Sequence, residues 1–174
     1  MGEFIPFGSS AFYLILILLI IARGMDFLST WIATPNLVLE ANPIARKIGW
    51  KIGIILNLVL CFAFSIWPLP AVVIITSSLL VAARNFQSAW LMRTLGEEPY
   101  RIWICDRIRE TSVGLYLICL LAQTTLIASL GAALMVFSDL YLVPFAIGMG
   151  MITYAVTVVA YTLLSVWRIR RSPG

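Results

Sequence analysis

Three charged side chains lie within stretches of this chain that are otherwise apolar and long enough to be membrane helices: Arg23, Asp26 and Arg84. An isolated charge at the bilayer centre costs about 2.5–3.5 kcal/mol on insertion scales, so each needs a partner. Arg23, Asp26 and Thr30 are spaced i, i+3, i+7 and share one helix face. Ser77, Arg84 and Ser88, at i, i+7, i+11, share a face of another helix, with Gln87 beside them and Val81 interrupting the stripe. Such residues recognise by charge and hydrogen bonding. Arginine keeps its proton in proteins, so two arginines against one aspartate leave a positive charge to be met by an acid, an anion or water. Three readings follow: a structural ion pair pinning two helices, a buried site for an anion, and side chains that snorkel towards water. The partners open to the surplus charge are Glu40, a carboxylate of another subunit, a lipid phosphate and an anionic small ligand.

Catalytic machinery has little to draw on. Histidine is absent, which removes His-ligated haem and zinc and any Ser-His or Cys-His arrangement. Cys61, Cys105 and Cys119 have no C-x-x-C spacing, so neither a disulfide framework nor a thiolate metal site is expected. No catalytic residue, metal site or cofactor is assigned. Asp26 and Glu40 are the acids that an intramembrane enzyme acting on lipid or peptide would use. They fall at different depths, so a carboxylate dyad would require a re-entrant 35–42 connection.

The elements that position these residues are helices. The chain is 61% hydrophobic and 11% charged, against about 25% charged for a soluble domain. Its apolar runs are continuous, unlike the alternating strands of outer-membrane barrels. The expected fold is all-α: a polytopic integral membrane protein, residues 1–174 forming one membrane domain of five transmembrane helices. The spans are about 11–33, 43–67, 71–95, 111–137 and 142–167, with proline punctuating three connections. The N-terminal tail has no Lys or Arg and no small-residue cleavage pattern follows the first run, so span 1 is read as retained.

Basic residues fall on every second connection. Arg46, Lys47 and Lys51 flank the first, Arg93, Arg101, Arg107 and Arg109 the third, and Arg168, Arg170 and Arg171 the tail, whereas the others carry only Glu3, no charge, or Asp139. The positive-inside rule therefore puts the N-terminus outside and the C-terminus in the cytoplasm. Trp31, Trp50, Trp90 and Trp167 fall near the inner interface, Trp67 and Tyr141 near the outer one. The expected location is the cell membrane, multi-pass, the cytoplasmic membrane in a prokaryote. The net charge of +4 is a topology signal and an affinity for anionic headgroups. No basic stripe stands free of the membrane to bind nucleic acid.

Local features have simpler roles. In Glu40-Ala41-Asn42-Pro43, Asn42 suits the N-cap of span 2 and Pro43 its first helical position. Glu40 then sits by the positive end of that helix dipole. Asn57, Asn85 and Gln123 lie at depth and suit interhelical bonds worth about 0.6–2 kcal/mol each. Residues 97–110 form an amphipathic interfacial segment in which Ile102, Trp103, Cys105 and Ile108 alternate with charges. Ala122, Thr125, Ser129 and Ala133 on span 4, and Ala146, Gly150, Thr153, Thr157 and Ala160 on span 5, make small-residue stripes. These are expected to pack within the monomer, with homo-oligomerisation the alternative.

Asp26, Ser29-Thr30, Glu40, Asn42-Pro43 and Lys51 together resemble the signature of a small, functionally uncharacterised family of prokaryotic multi-span membrane proteins, a domain of unknown function. The signature runs Asp, Ser/Thr-Thr, a variable gap, Glu-x-Asn-Pro, and a Lys beginning the next span. Arg23 and Arg84 lie outside it. The resemblance implies no activity; it implies that Asp26, Thr30, Glu40 and Asn42 act together.

The site expected from sequence is thus a buried polar or ligand-binding cluster of Arg23, Asp26, Thr30, Glu40, Asn42, Arg84, Gln87 and Ser88. It would serve a small membrane protein that binds or transports a small ligand, an anion being one candidate. The alternative is a non-catalytic subunit or assembly factor of a larger membrane complex. The bilayer itself is a partner in either case, and a membrane-protein partner or a second copy fits the second reading. Reporter fusions after Gly96 and after Asp139 are expected to report cytoplasm and exterior respectively. The same compartment for both would overturn the topology.

Overall fold

The computed structural model describes residues 4–40, 42–139 and 141–171; Glu3 and Ala41 of the sequence argument lie outside them. The described residues form six helices and no strand: α1 Ser10–Ala33, α2 Pro43–Phe64, α3 Pro68–Leu95, α4 Glu97–Glu110, α5 Val113–Val136 and α6 Leu142–Arg171. All but α4 are long and apolar enough to cross a membrane.

Helix ends follow capping chemistry. The Ser9 hydroxyl accepts from Phe12 N at 3.2 Å to start α1, and that of Ser112 from Leu115 N at 3.3 Å to start α5. The expected third span begins three residues early, because Pro68 and Pro70 fit the first turn, where no backbone N–H is needed. The second stops at Phe64, with Ser65 as its C-cap, and the last runs on through Arg171. Gly96, at φ 85°, joins α3 to α4 with a backbone that a side chain would oppose. Gly49, at φ 72° inside α2, kinks it between Ile48 and Trp50.

The helices pack in the order α1–α3–α6–α5, and α2 touches only the edge of the α1–α3 pair. Close approach explains this order. Gly150 of α6 lies over Thr76 and Val73 of α3: a Cβ there would come within 2.6 Å of Thr76 Cβ. Gly131 of α5 and Gly148 of α6 face each other, and a Cβ on Gly131 would lie 2.7 Å from the Gly148 carbonyl oxygen. The α5 stripe expected from sequence is turned the other way: Ala122, Thr125, Ser129 and Ala133 are exposed, while Leu120, Thr124 and Gly131 are buried. On α6, Ala146 and Gly150 are buried, Thr157 is half-buried, and Thr153 and Ala160 are exposed.

α4 is a helix whose inward face is Tyr100, Ile104 and Ile108, one turn apart, rather than the expected set; Ile102 and Trp103 are exposed. It packs on α3 and α6. Arg170 of α6 donates to the carbonyls of Ile108 and Thr111, so a cation caps the negative end of α4. Opposite, Ile5 N donates to Ile66 O at 3.0 Å. The bundle has a basic end, formed by residues 34–50, α4 and the close of α6, and an end almost without charge.

Replacing Gly148 by Ala is expected to destabilise the protein by about 1–3 kcal/mol, the usual range for overpacking, because a backbone carbonyl blocks the new methyl. Gly114→Ala meets nothing within 4 Å and should leave the melting temperature equal or slightly higher. Thermal unfolding of the two variants in detergent checks the pair; equal melting temperatures would refute the Gly131–Gly148 contact.

Candidate functional site: the Arg23 cluster and its clefts

Arg23 is the junction of three helices. Its Nη1 donates to Asp26 Oδ2 at 2.8 Å, one turn along α1, and to Ser78 Oγ of α3 at 3.1 Å. Its Nε donates to Asn57 Oδ1 of α2 at 2.7 Å. Asn57 is itself oriented by donating from Nδ2 to Gly53 O at 2.8 Å. The guanidinium also stands 6.0 Å from the Phe27 ring centroid. One arginine and one carboxylate form a neutral pair, and bonds to charged groups are roughly twice as strong as neutral ones. Both N–H groups of Nη2 have no partner among the described residues.

One turn towards the basic end is a second polar layer. Asn85 Nδ2 of α3 donates to Ser29 Oγ at 3.3 Å and to Thr30 Oγ1 at 3.2 Å, and Ser29 Oγ donates back to Asp26 O at 2.8 Å. Ser78 and Asn85, seven residues apart, are therefore the polar side of α3 towards α1, with buried Ala82 and Ala89 on the same side. The face expected from sequence was Ser77, Arg84 and Ser88. It is off by one residue, about 100° of helix. Ser77 bonds its own helix at Ile74 O, Ser88 does so at Asn85 O, and Gln87 is exposed. Arg84 turns to α6, where its Nη2 is 3.5 Å from Thr162 Oγ1. The expected Arg23–Asp26–Arg84 cluster is thus two places, with the acid at only one of them.

Glu40 and Asn42 serve the start of α2. Asn42 Oδ1 accepts from Ile44 N at 2.9 Å and from Ala45 N at 3.4 Å, and Glu40 Oε1 accepts from Asn42 N at 2.8 Å. Asp26 and Glu40 hold separate hydrogen-bond partners, while the Glu40 carboxylate is near enough to act electrostatically on Asp26.

The residue that organises this end is one that sequence reasoning missed. Glu97, in the first turn of α4, accepts from Thr34 Oγ1 (2.9 Å), Asn36 N (2.8 Å), Asn36 Nδ2 (3.1 Å) and Val38 N (3.1 Å). The loop it gathers contains Leu37 at φ 57°, a left-handed conformation that an unbonded leucine would avoid. Trp50 Nε1 donates to Pro35 O at 2.8 Å, closing the loop onto α2. An acid beside a helix start was the available signal, but nothing local pairs it with a loop some sixty residues away.

Two cavities flank the Arg23–Asn57 bond. A smaller one, about 220 Å³, lies between α1, α2 and α3 and includes Cys61, Ser77 and Ser78. A larger cleft, about 640 Å³, opens between α1 and α2. Its walls are Ile20, Phe27, Leu28, Ile54 and Leu58, its basic-end rim is Trp31, Pro35 and Trp50, and its polar edge is Arg23 and Asn57. Gly24 lines it, and a Cβ there would meet nothing within 4 Å.

Partial burial raises the Glu97 pKa, but its hydrogen bonds from Asn36, Thr34 and Val38 outweigh that and hold it below the ordinary glutamate value. A depressed carboxylate stabilises the fold above the unfolded-state pKa of about 4.3, and the contribution disappears as pH falls through the folded value. Acidification below about pH 4 is therefore expected to release the loop, read as a shift of the Trp50 indole N–H resonance. Glu97→Gln should show the released position already at pH 7; an indole signal insensitive to both would refute the clamp. Comparison of the chain with protein-family models, curated proteins and solved structures found no match.

Proposed function

We propose that the chain is a multi-pass membrane protein, its N-terminus outside and its basic end cytoplasmic, that holds a mostly apolar amphiphile in the α1–α2 cleft. The observation that carries this reading is the cleft itself. Its about 640 Å³ lies within the usual size of small-molecule sites, about 300–1,000 Å³, and its walls are apolar with polar groups at one edge. The edge defines the ligand's polar part. Asp26 already balances the charge of Arg23, so a full anion is not required. The two open N–H groups of Nη2 suit an acceptor oxygen, such as an ester carbonyl or hydroxyl. The ligand class is therefore a neutral, lipid-like molecule rather than a small hydrophilic anion. Binding is what the cleft supports; the one interruption among the spans, at Gly49 of α2, lies at the basic end beyond the polar edge of the cleft.

The test uses the full chain in detergent with a diazirine-bearing monoacylglycerol as probe. Photolabel is expected on the α1 and α2 peptides containing Leu28, Ile54 and Leu58. Gly24→Phe fills the cleft from a position with free space and should cut labelling at least about tenfold, the effect of some 1.4 kcal/mol of lost binding, while leaving thermal stability intact. Label spread evenly over all apolar helices, or unchanged labelling in Gly24→Phe, would overturn the proposal.

A further inference from the structure

A second polar centre lies away from the cleft, where α3, α5 and α6 meet. The apolar core there is Leu120, Tyr154 and Val158, with Leu80, Val81 and Ile127 packed against it. One turn along each helix the apolar residues give way to polar ones. Arg84 follows Val81 by three residues, Tyr116 precedes Leu120 by four, and Thr162 follows Val158 by four. Three helices thus each bring one polar side chain to a single layer. Arg84 Nη2 meets Thr162 Oγ1 at 3.5 Å, and the guanidinium acts electrostatically on the Tyr116 hydroxyl.

We propose that this layer binds a phosphate-class oxyanion. Among the described residues no carboxylate lies within ion-pair distance of Arg84; the three ion pairs found use Arg23, Arg101 and Arg107. Of the five guanidinium N–H donors, the single long bond to Thr162 occupies one. Thr162 accepts that bond, so its own proton remains free, and the Tyr116 hydroxyl has no hydrogen-bond partner among the described residues. Arg84 and Thr162 meet with donors to spare, the Tyr116 hydroxyl of a third helix lies within electrostatic reach, and arginine's fork binds phosphate oxygens in pairs. Tyr116 lies within the first turn of α5, so the layer is near the basic end. All three side chains are half-buried rather than buried, and the phosphate could come from a lipid headgroup or from solution. The inference is independent of the cleft.

The test is thermal unfolding of the full chain in uncharged detergent at fixed ionic strength, with dioleoylphosphatidylglycerol, dioleoylglycerol or inorganic phosphate added. Phosphatidylglycerol is expected to raise the melting temperature by at least about 3 °C over dioleoylglycerol, the scale of a ligand well above its Kd. A comparable rise with inorganic phosphate would assign the site to the soluble ion. Either rise should vanish in Arg84→Gln and in Thr162→Asp, which gives the guanidinium an internal acid, and should persist in Arg46→Gln/Lys47→Gln, which removes headgroup attraction at the surface. Thr162→Asp keeps the test decisive if Arg84→Gln does not fold. No phosphate-dependent rise, a rise that survives Thr162→Asp, or a Thr162→Asp protein that cannot fold would each overturn the proposal.

Discussion

The arrangement of the α1 half of the bundle depends on the fork of a single guanidinium. Arg23 directs its Nε to α2 and its Nη1 to both α1 and α3. A lysine ammonium would supply charge without fixing these three directions. The pair with Asp26 makes the position tolerable in an apolar stretch, because a lone guanidinium there would lack any compensating charge. The same bonds leave Nη2 without a partner among the described residues, on a side chain that lines both clefts. Structural pinning and the polar edge of the clefts are two consequences of one side chain rather than competing explanations of it.

The rest of the packing is governed by how near backbones can come. α1 meets α3 through Ser78, Ala82 and Ala89, and α6 meets its neighbours at Gly148 and Gly150. In contrast α2 carries isoleucine, leucine and valine nearly all round, with Cys61 its fully covered side chain among the described residues. Bulky side chains hold it off, and the polar reach of Asn57 bridges part of the gap. The cleft follows from that mismatch of side-chain size between α2 and α1.

Much of this was legible in the sequence, for identifiable reasons. Helix number and approximate bounds follow from apolar run length. The Asn42 cap and the Arg23–Asp26 pair follow from local spacing, since three residues along a helix bring side chains together without tertiary help. What could not be read was which face of each helix its neighbours would select. On α3, Ser77/Arg84/Ser88 and Ser78/Asn85 are polar stripes of similar quality, one residue apart. The choice between them is made by Ala82 and Ala89, whose small size admits α1. On α5 the eye is drawn to four small residues in a row, but the glycine opposite Gly148 decides the face. Glu97 was illegible for a related reason: two of its four donors are backbone N–H groups, which carry no mark of residue type, and all four lie some sixty residues away in sequence.

The kink at Gly49 has a mechanical consequence for the surrounding bilayer in the proposed orientation. Beyond it, the straight part of α2 runs from Trp50 to Phe64, roughly 22 Å at about 1.5 Å per residue, against a hydrocarbon thickness of about 30 Å. A helix that short draws the two leaflets together beside it or tilts the flanking residues to meet them. α1, on the other side of the cleft, is 24 residues long and imposes no such thinning. In a bilayer the cleft would therefore open on a step in membrane thickness, where acyl chains are splayed and shortened. The lipid-like molecule proposed for the cleft would then leave a strained neighbourhood rather than a relaxed one.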